Sequence, residues 1–199
     1  MKAAVSVQPA SGEDRAIAML AGGGYLVAVA DGAGGTGGGA VAAECFIAFV
    51  ASLAQDVVST DWFAALCTFD DQLSVDPSGG HTTGIVAFVD GERVIGASVG
   101  DSAAWLISPS GQLRDLTARQ RRRPLLGSGE ALPVQLQAER RGDCVLLASD
   151  GLFKYAPLDR ICTLATHGSV ANAADALVDC VRLPSGALQD DVAVVIVSG

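Results

Sequence analysis

At 199 residues the chain is long enough to bury most of the surface its unfolded form would expose. Half of its residues are hydrophobic, with few aromatics, which excludes a disordered protein and points to one globular domain over residues 1–199. A formal charge of −9 and a pI near 4.5 repel a phosphate backbone and argue against nucleic acid as a partner.

In chain order, the apolar stretches read mostly as strands. "AAVSV" and "YLVAVA" come first. Helical periodicity follows from Gly38 to Gln55 and from Asp61 to Leu73, the second capped by Thr60 or Asp61. "TTGIVAFVD" and "RVIGASVG" are joined through Asp90-Gly91, a hairpin signal. "AAWLIS" and "CVLLAS" are further strands. A helix from Val170 to Val181, capped by Ser169, leads into the strand "VAVVIV". Adjacent strands pair locally and outnumber helices, which favours an antiparallel α+β sandwich over an alternating parallel sheet.

No apolar run reaches membrane-spanning length without an acidic residue, so no membrane association is expected. "MKAAVSVQPASGEDR" has too little apolar length for a signal peptide. The five cysteines are odd in number and form no C-x-x-C pair. Cys45, Cys67, Cys144 and Cys180 lie in apolar periodic segments, as expected of reduced, buried thiols in a cytoplasmic protein. The basic run "RQRRR", Arg119 to Arg123, reads as a solvated loop. His81 and His167 lack ligand spacing, and Ser11 and Ser149 read as turn or cap residues.

The stretch "VAVADGAGGTGGGAVAAE" from Val27 passes from an apolar run through Asp31 and a glycine-rich turn into an alanine-rich helix. Gly32, Gly34 and Gly37 spell the dinucleotide fingerprint G-x-G-x-x-G. Asp31 directly before the first glycine would repel a pyrophosphate, however, and no Gly-Lys-Ser/Thr follows to make a P-loop. Three more aspartates end apolar strands: Asp101 in "ASVGDSAAW", Asp150 in "VLLASDGLFKY" and Asp190 in "LQDDVAVVIV". Several carboxylates at strand ends, beside small residues, suit a shared site for a hard cation with oxygen ligands.

These stretches resemble, in order, the motifs of the metal-dependent protein phosphatases (PPM, or type 2C, serine/threonine phosphatases). "VADGAGGTGGGAVAA" is similar to the Asp-Gly-x-Gly-Gly motif and first long helix, and "SGEDRAIAML" to the N-terminal Glu-Asp segment. "GHTTGIVAFVDGERVIGASVGDSAAWLI" is similar to the central hairpin, "GDCVLLASDGLFKY" to the Ser-Asp-Gly motif, and "QDDVAVVIV" to the closing strand. The resemblance implies a four-layer α/β/β/α sandwich of two antiparallel sheets. It implies two Mg²⁺ or Mn²⁺ ions, with a third in some members. Asp31 would bridge the two ions, the Gly32 carbonyl would complete one shell, and Asp150 and Asp190 would hold the other. Asp14 and Glu13 would orient bound waters, and Asp101 would help hold the third ion. A bridging hydroxide would then hydrolyse phosphoserine or phosphothreonine on a protein targeted by a serine/threonine kinase.

The chain departs from that pattern in its substrate contacts. Pro9 stands where the family has a phosphate-gripping arginine, Ala33 where some members have a histidine, and Ala103 where the central motif has arginine. The flap beside the active site is expected to be reduced. Arg15, the nearest basic residue, would point away from the face presenting Asp14 if "EDRAIAM" is a strand. Asp191, next to Asp190 on one strand, would face the opposite side and serve as an inert control. A phosphatase-like binding domain with little catalysis is the alternative reading.

Overall fold

The strand sequences are apolar on both faces, which requires both faces of each sheet to be covered. The computed structural model describes all residues except Gly35, Thr36 and Ser78, and it meets that requirement with two five-stranded antiparallel sheets flanked by helices. The first sheet contains β1 (Lys2–Gln8), β6 (Ala103–Ile107), β7 (Leu113–Asp115), β9 (Cys144–Ala148) and β10 (Val192–Ser198), in the order β1-β10-β9-β6-β7. The second contains β2 (Arg15–Ala21), β3 (Gly24–Ala30), β4 (Gly84–Val89), β5 (Arg93–Val99) and β8 (Val134–Glu139), in the order β2-β3-β4-β5-β8.

Alternation along each strand divides the apolar residues among three cores. Val27, Val29, Ile85 and Ala87 of the second sheet meet Leu106, Leu147, Ala193 and Val195 of the first, filling the space between the sheets. The outward residues Leu26, Ala28, Val86 and Phe88 pack under α1 (Gly39–Ser52) and α2 (Trp62–Ser74). On the far side, Trp105, Leu146, Val194 and Ile196 pack under α4 (Leu158–Thr166) and α5 (Val170–Asp179). Ala42, Ala43, Phe46 and Val50 form the buried stripe of α1, at the i, i+1, i+4, i+8 spacing of one helix face.

The expected caps are in place for two helices: the Asp61 side chain accepts from the Ala64 N–H, and Ser169 from the Asn172 N–H. The first helix ends at Ser52, followed by a 3₁₀ turn at Ala54–Asp56, short of the Gln55 end expected from periodicity. From sequence β2 is expected only conditionally, and β7, β8, the one-turn helix α3 (Asp150–Phe153) and α4 are not expected. All five cysteines are free; Cys144 and Cys162 are buried, and Cys45, Cys67 and Cys180 are half-buried. Among the described residues, no helix is long and apolar enough to cross a membrane.

Candidate active site

Asp31 follows β3 and is fixed by its own backbone. Its N–H donates to the Thr83 hydroxyl at 3.0 Å, and its carbonyl accepts from the Thr83 N–H at 2.8 Å and the Thr82 hydroxyl at 3.0 Å. Gly32 then bridges to Thr82. The glycines here serve close packing of backbone on backbone. A Cβ on Gly32 would lie 2.4 Å from the Gly39 carbonyl, and one on Gly80 would lie 2.4 Å from the carbonyl carbon of Gly38. Gly34 makes room for Glu13, whose Oε2 would sit 2.2 Å from an added Cβ. Among the described residues, these contacts lock the end of β3 to the start of α1.

Asp14 enters from the loop before β2. It is 3 % exposed, and neither carboxylate oxygen makes a hydrogen bond of normal geometry, although the Ser149 hydroxyl lies beside it. Burial first, and then the charges of Asp191, Asp150 and Asp190, push its pKa up to about 7. Burial and the neighbouring Asp14, Asp150 and Asp101 carboxylates push Asp31 up to about 8.

The loop carrying Asp14 is held by Asp191. The Asp191 carboxylate accepts from the N–H groups of Ala10, Ser11, Gly12, Glu13 and Asp14 and from the Ser11 hydroxyl. Burial opposes its ionisation, but the backbone donors outweigh that and hold its pKa well below the usual carboxylate range. Asp190 and Asp191 both precede β10, so strand alternation does not separate their faces, and Asp191 is not an inert control. It organises the loop that presents Glu13 and Asp14.

Asp31, Asp101 and Asp150 line one cavity of about 130 Å³ with Ala33, Thr83, Arg122, Arg123 and Leu125. Asp150 begins α3 directly after β9, and burial raises its pKa against the partly offsetting Lys154. Two cations thread these carboxylates. Lys154 Nζ lies 2.6 Å from Asp150 Oδ2 and 3.3 Å from Asp190 Oδ2. Arg122 Nε lies 2.6 Å from Asp101 Oδ2, and its Nη2 lies 4.0 Å from Asp150 Oδ2. Among the described residues, no three His, Cys, Asp or Glu side chains converge closely enough to hold an ion by themselves.

The basic run is an exposed loop, as expected, but Arg122 and Arg123 also border the acidic cavity. Sequence spacing missed Arg122, Lys154 and Asp191, whose partners are remote in the chain or lie across a turn. The donors fit a hard divalent cation in kind: all are oxygen, Asp14 is buried without a hydrogen-bond partner, and Asp31 is crowded by like charge. Loading such an ion on Asp150 and Asp190 requires Lys154 to release them.

The profile described as Stage II sporulation protein E (SpoIIE) matches residues 21–198. No curated protein matches the chain. Among solved structures, the Mycobacterium tuberculosis serine/threonine phosphatase PstP/Ppp is similar at 26% identity and a TM-score of 0.80, over 98% of this chain and 97% of that one. The PstP catalytic domain in complex with two manganese ions is also 26% identical, with a TM-score of 0.78 over 98% and 96% of the two chains. The serine/threonine phosphatase Stp1 from Staphylococcus aureus shares the fold at 20% identity and a TM-score of 0.83, over 100% and 94%. With nearly its whole length matched and the two-sheet architecture shared, the chain belongs to the SpoIIE family of PPM-type domains.

Proposed function

We propose that the chain is a metal-dependent serine/threonine protein phosphatase acting on phosphoserine or phosphothreonine in proteins phosphorylated by a serine/threonine kinase. One observation carries the reading: Asp31, Asp101 and Asp150 line a single cavity, with Asp14 close enough to raise the Asp31 pKa. The PstP structure with two manganese ions supports two Mg²⁺ or Mn²⁺ ions here. Asp31, the Gly32 carbonyl, Asp150 and Asp190 would hold the two ions. Asp14 and Glu13 would orient waters, and Asp101 is a candidate for a third ion. Bound divalent ions supply Lewis acidity, which activates water and offsets charge on the phosphoryl group.

The chain's own residues do the positioning. Thr82 and Thr83 hold the Asp31 backbone, and Asp191 fixes the loop that brings Asp14 in. Asp14 and Asp150 are both buried, which keeps their carboxylates in place. Five free cysteines fit a reducing cytoplasm.

Hydrolysis of p-nitrophenyl phosphate by the purified protein with Mn²⁺, with Mg²⁺ and with excess EDTA tests the proposal. Activity is expected with metal only; turnover that persists in chelator would sink it. A second reading, a phosphatase-like binding domain with little catalysis, is favoured by the Lys154 bridge across Asp150 and Asp190. Saturating Mn²⁺ without turnover would select it.

A further inference from the structure

The proposed hydrolysis needs a group that fixes the substrate phosphate, and Pro9 occupies the position where an arginine was expected. Arg15 does not replace it. Its Nη1 donates to the carbonyls of Gly12 and Asp14, at 2.8 Å each, so the guanidinium is bound to its own loop. Pro9 and Arg15 line a different cavity, one that Asp31 and Asp150 do not border.

Arg122 is placed differently. Its guanidinium stands at the mouth of the cavity formed by Asp31, Asp101 and Asp150, while the side chain remains 72% exposed. A guanidinium carries five N–H donors in a planar fork. The contacts to Asp101 and Asp150 engage only Nε and Nη2, so donors remain for another oxyanion.

The loop presenting Arg122 is anchored on both sides. Before it, the Ser98 hydroxyl donates to the Gln120 side chain. After it, Leu126 exchanges backbone hydrogen bonds of 3.1 Å with Thr82, the residue that holds the Asp31 carbonyl. Buried Asp70 on α2 then accepts from the N–H groups of Gly127, Gly129 and Ala131. The loop that carries Arg122 is thus anchored on either side of it, and the ion pair with Asp101 aims the guanidinium at the cavity, which lowers the entropy lost when the loop engages a ligand.

We propose that Arg122 grips the phosphoryl oxygens of the substrate, so that the phosphate clamp comes from the loop between β7 and β8. This rests on the phosphatase reading above. The geometry suits it: planar, bidentate donation to phosphate gives orientation as well as charge. Arg122 acts as a positioning residue, and the hydrolytic chemistry stays with the carboxylate site.

The test compares wild type, Arg122→Ala, Arg122→Lys and Arg119→Ala. Arg119 lies in the same loop but lines a separate cavity with Arg114 and Gln137, so its variant makes the same charge change elsewhere. Two quantities are measured in saturating Mn²⁺: kcat and KM on one phosphothreonine peptide, and the Kd of inorganic phosphate by calorimetry. Arg122→Ala is expected to raise both KM and the phosphate Kd by about 10-fold or more, the scale of one charged hydrogen-bonded contact. Arg122→Lys should recover only part of that loss, and Arg119→Ala should match wild type. An unchanged KM and Kd in Arg122→Ala, an equal loss in Arg119→Ala, or no phosphate binding by wild type would overturn the inference. If wild type turns nothing over while Arg122→Ala alone loses phosphate affinity, the clamp stands and the phosphatase reading fails.

Discussion

The ammonium of Lys154 lies 2.6 Å from the carboxylate of Asp150, one helical turn away on α3 and its C-cap, and it reaches Asp190 as well. Any divalent ion taken up by these two carboxylates must displace it. Lys154→Met should therefore tighten Mn²⁺ binding. The lysine is 38% exposed, so the pair is screened, and the gain should be several-fold, or about 1 kcal/mol at most. Calorimetric titration with Mn²⁺ checks this; weaker binding by the variant would mean that Lys154 organises the site and does not compete for it.

Asp31→Asn should cut turnover by orders of magnitude and yet raise the melting temperature of the metal-free protein near pH 8. The carboxylate is crowded by Asp14, Asp150 and Asp101, and the amide removes that repulsion. Asp150→Asn and Asp190→Asn should lose turnover likewise. Thermal melts with EDTA and with Mn²⁺ separate the two effects: the ion should stabilise wild type far more than Asp31→Asn.

Asp191→Ala should destabilise the fold by about 3 kcal/mol, because it removes a charged acceptor shared by several part-buried N–H groups. For a chain of this length that is a fall of roughly 6–12 °C in Tm. Turnover should fall too, because the loop would no longer present Asp14. A Tm within 2 °C of wild type, roughly the scale of 0.5 kcal/mol, would show that the loop is held by other contacts.

The same groups set the response to pH. Asp31 and Asp14, at about 8 and about 7, keep protons that the unfolded chain releases near its ordinary value of 3.8. Stability of the metal-free protein therefore declines as pH rises from about 4 through 8. Asp191 has the opposite sign: its contribution is present above 3.8 and is lost as pH falls through its depressed folded value. The Tm in EDTA is expected to peak near pH 4–5. Added Mn²⁺ should raise it more at pH 8 than at pH 5, since ligation requires the deprotonated form. A Tm in EDTA that climbs between pH 5 and 8 would contradict this.

Much of the fold and the acidic residues of the site can be read from the chain, for a physical reason. Buried strands such as β3, β4 and β10 are continuous runs of Val, Ile, Leu and Ala, and an aspartate at the end of such a run stands out. β8 escapes because Gln135, Gln137 and Glu139 alternate with its apolar residues, as befits the edge of a sheet. α4 is only nine residues long and leaves little room for a period to show. Nothing local marks Asp191, whose backbone partners lie 177 to 181 positions earlier. Arg122 looks solvated by composition, and only the anchored loop brings it to Asp101.

The place of β10 bears on how the molecule comes into being. It lies between β1 and β9 and pairs with β1 along seven residues, from Lys2 with Ser198 to Gln8 with Val192. During synthesis, then, β1 waits without its neighbour until residues 192–198 leave the ribosome, while the second sheet already has all five of its strands. Asp190 and Asp191 arrive with that late strand, so the loop around Asp14 stays unclasped until the same moment. From the emergence of β9, residues 144–148, until residues 192–198 follow, the nascent chain has one sheet complete and the other open along the edge of β9, where a chaperone or a stray strand could bind.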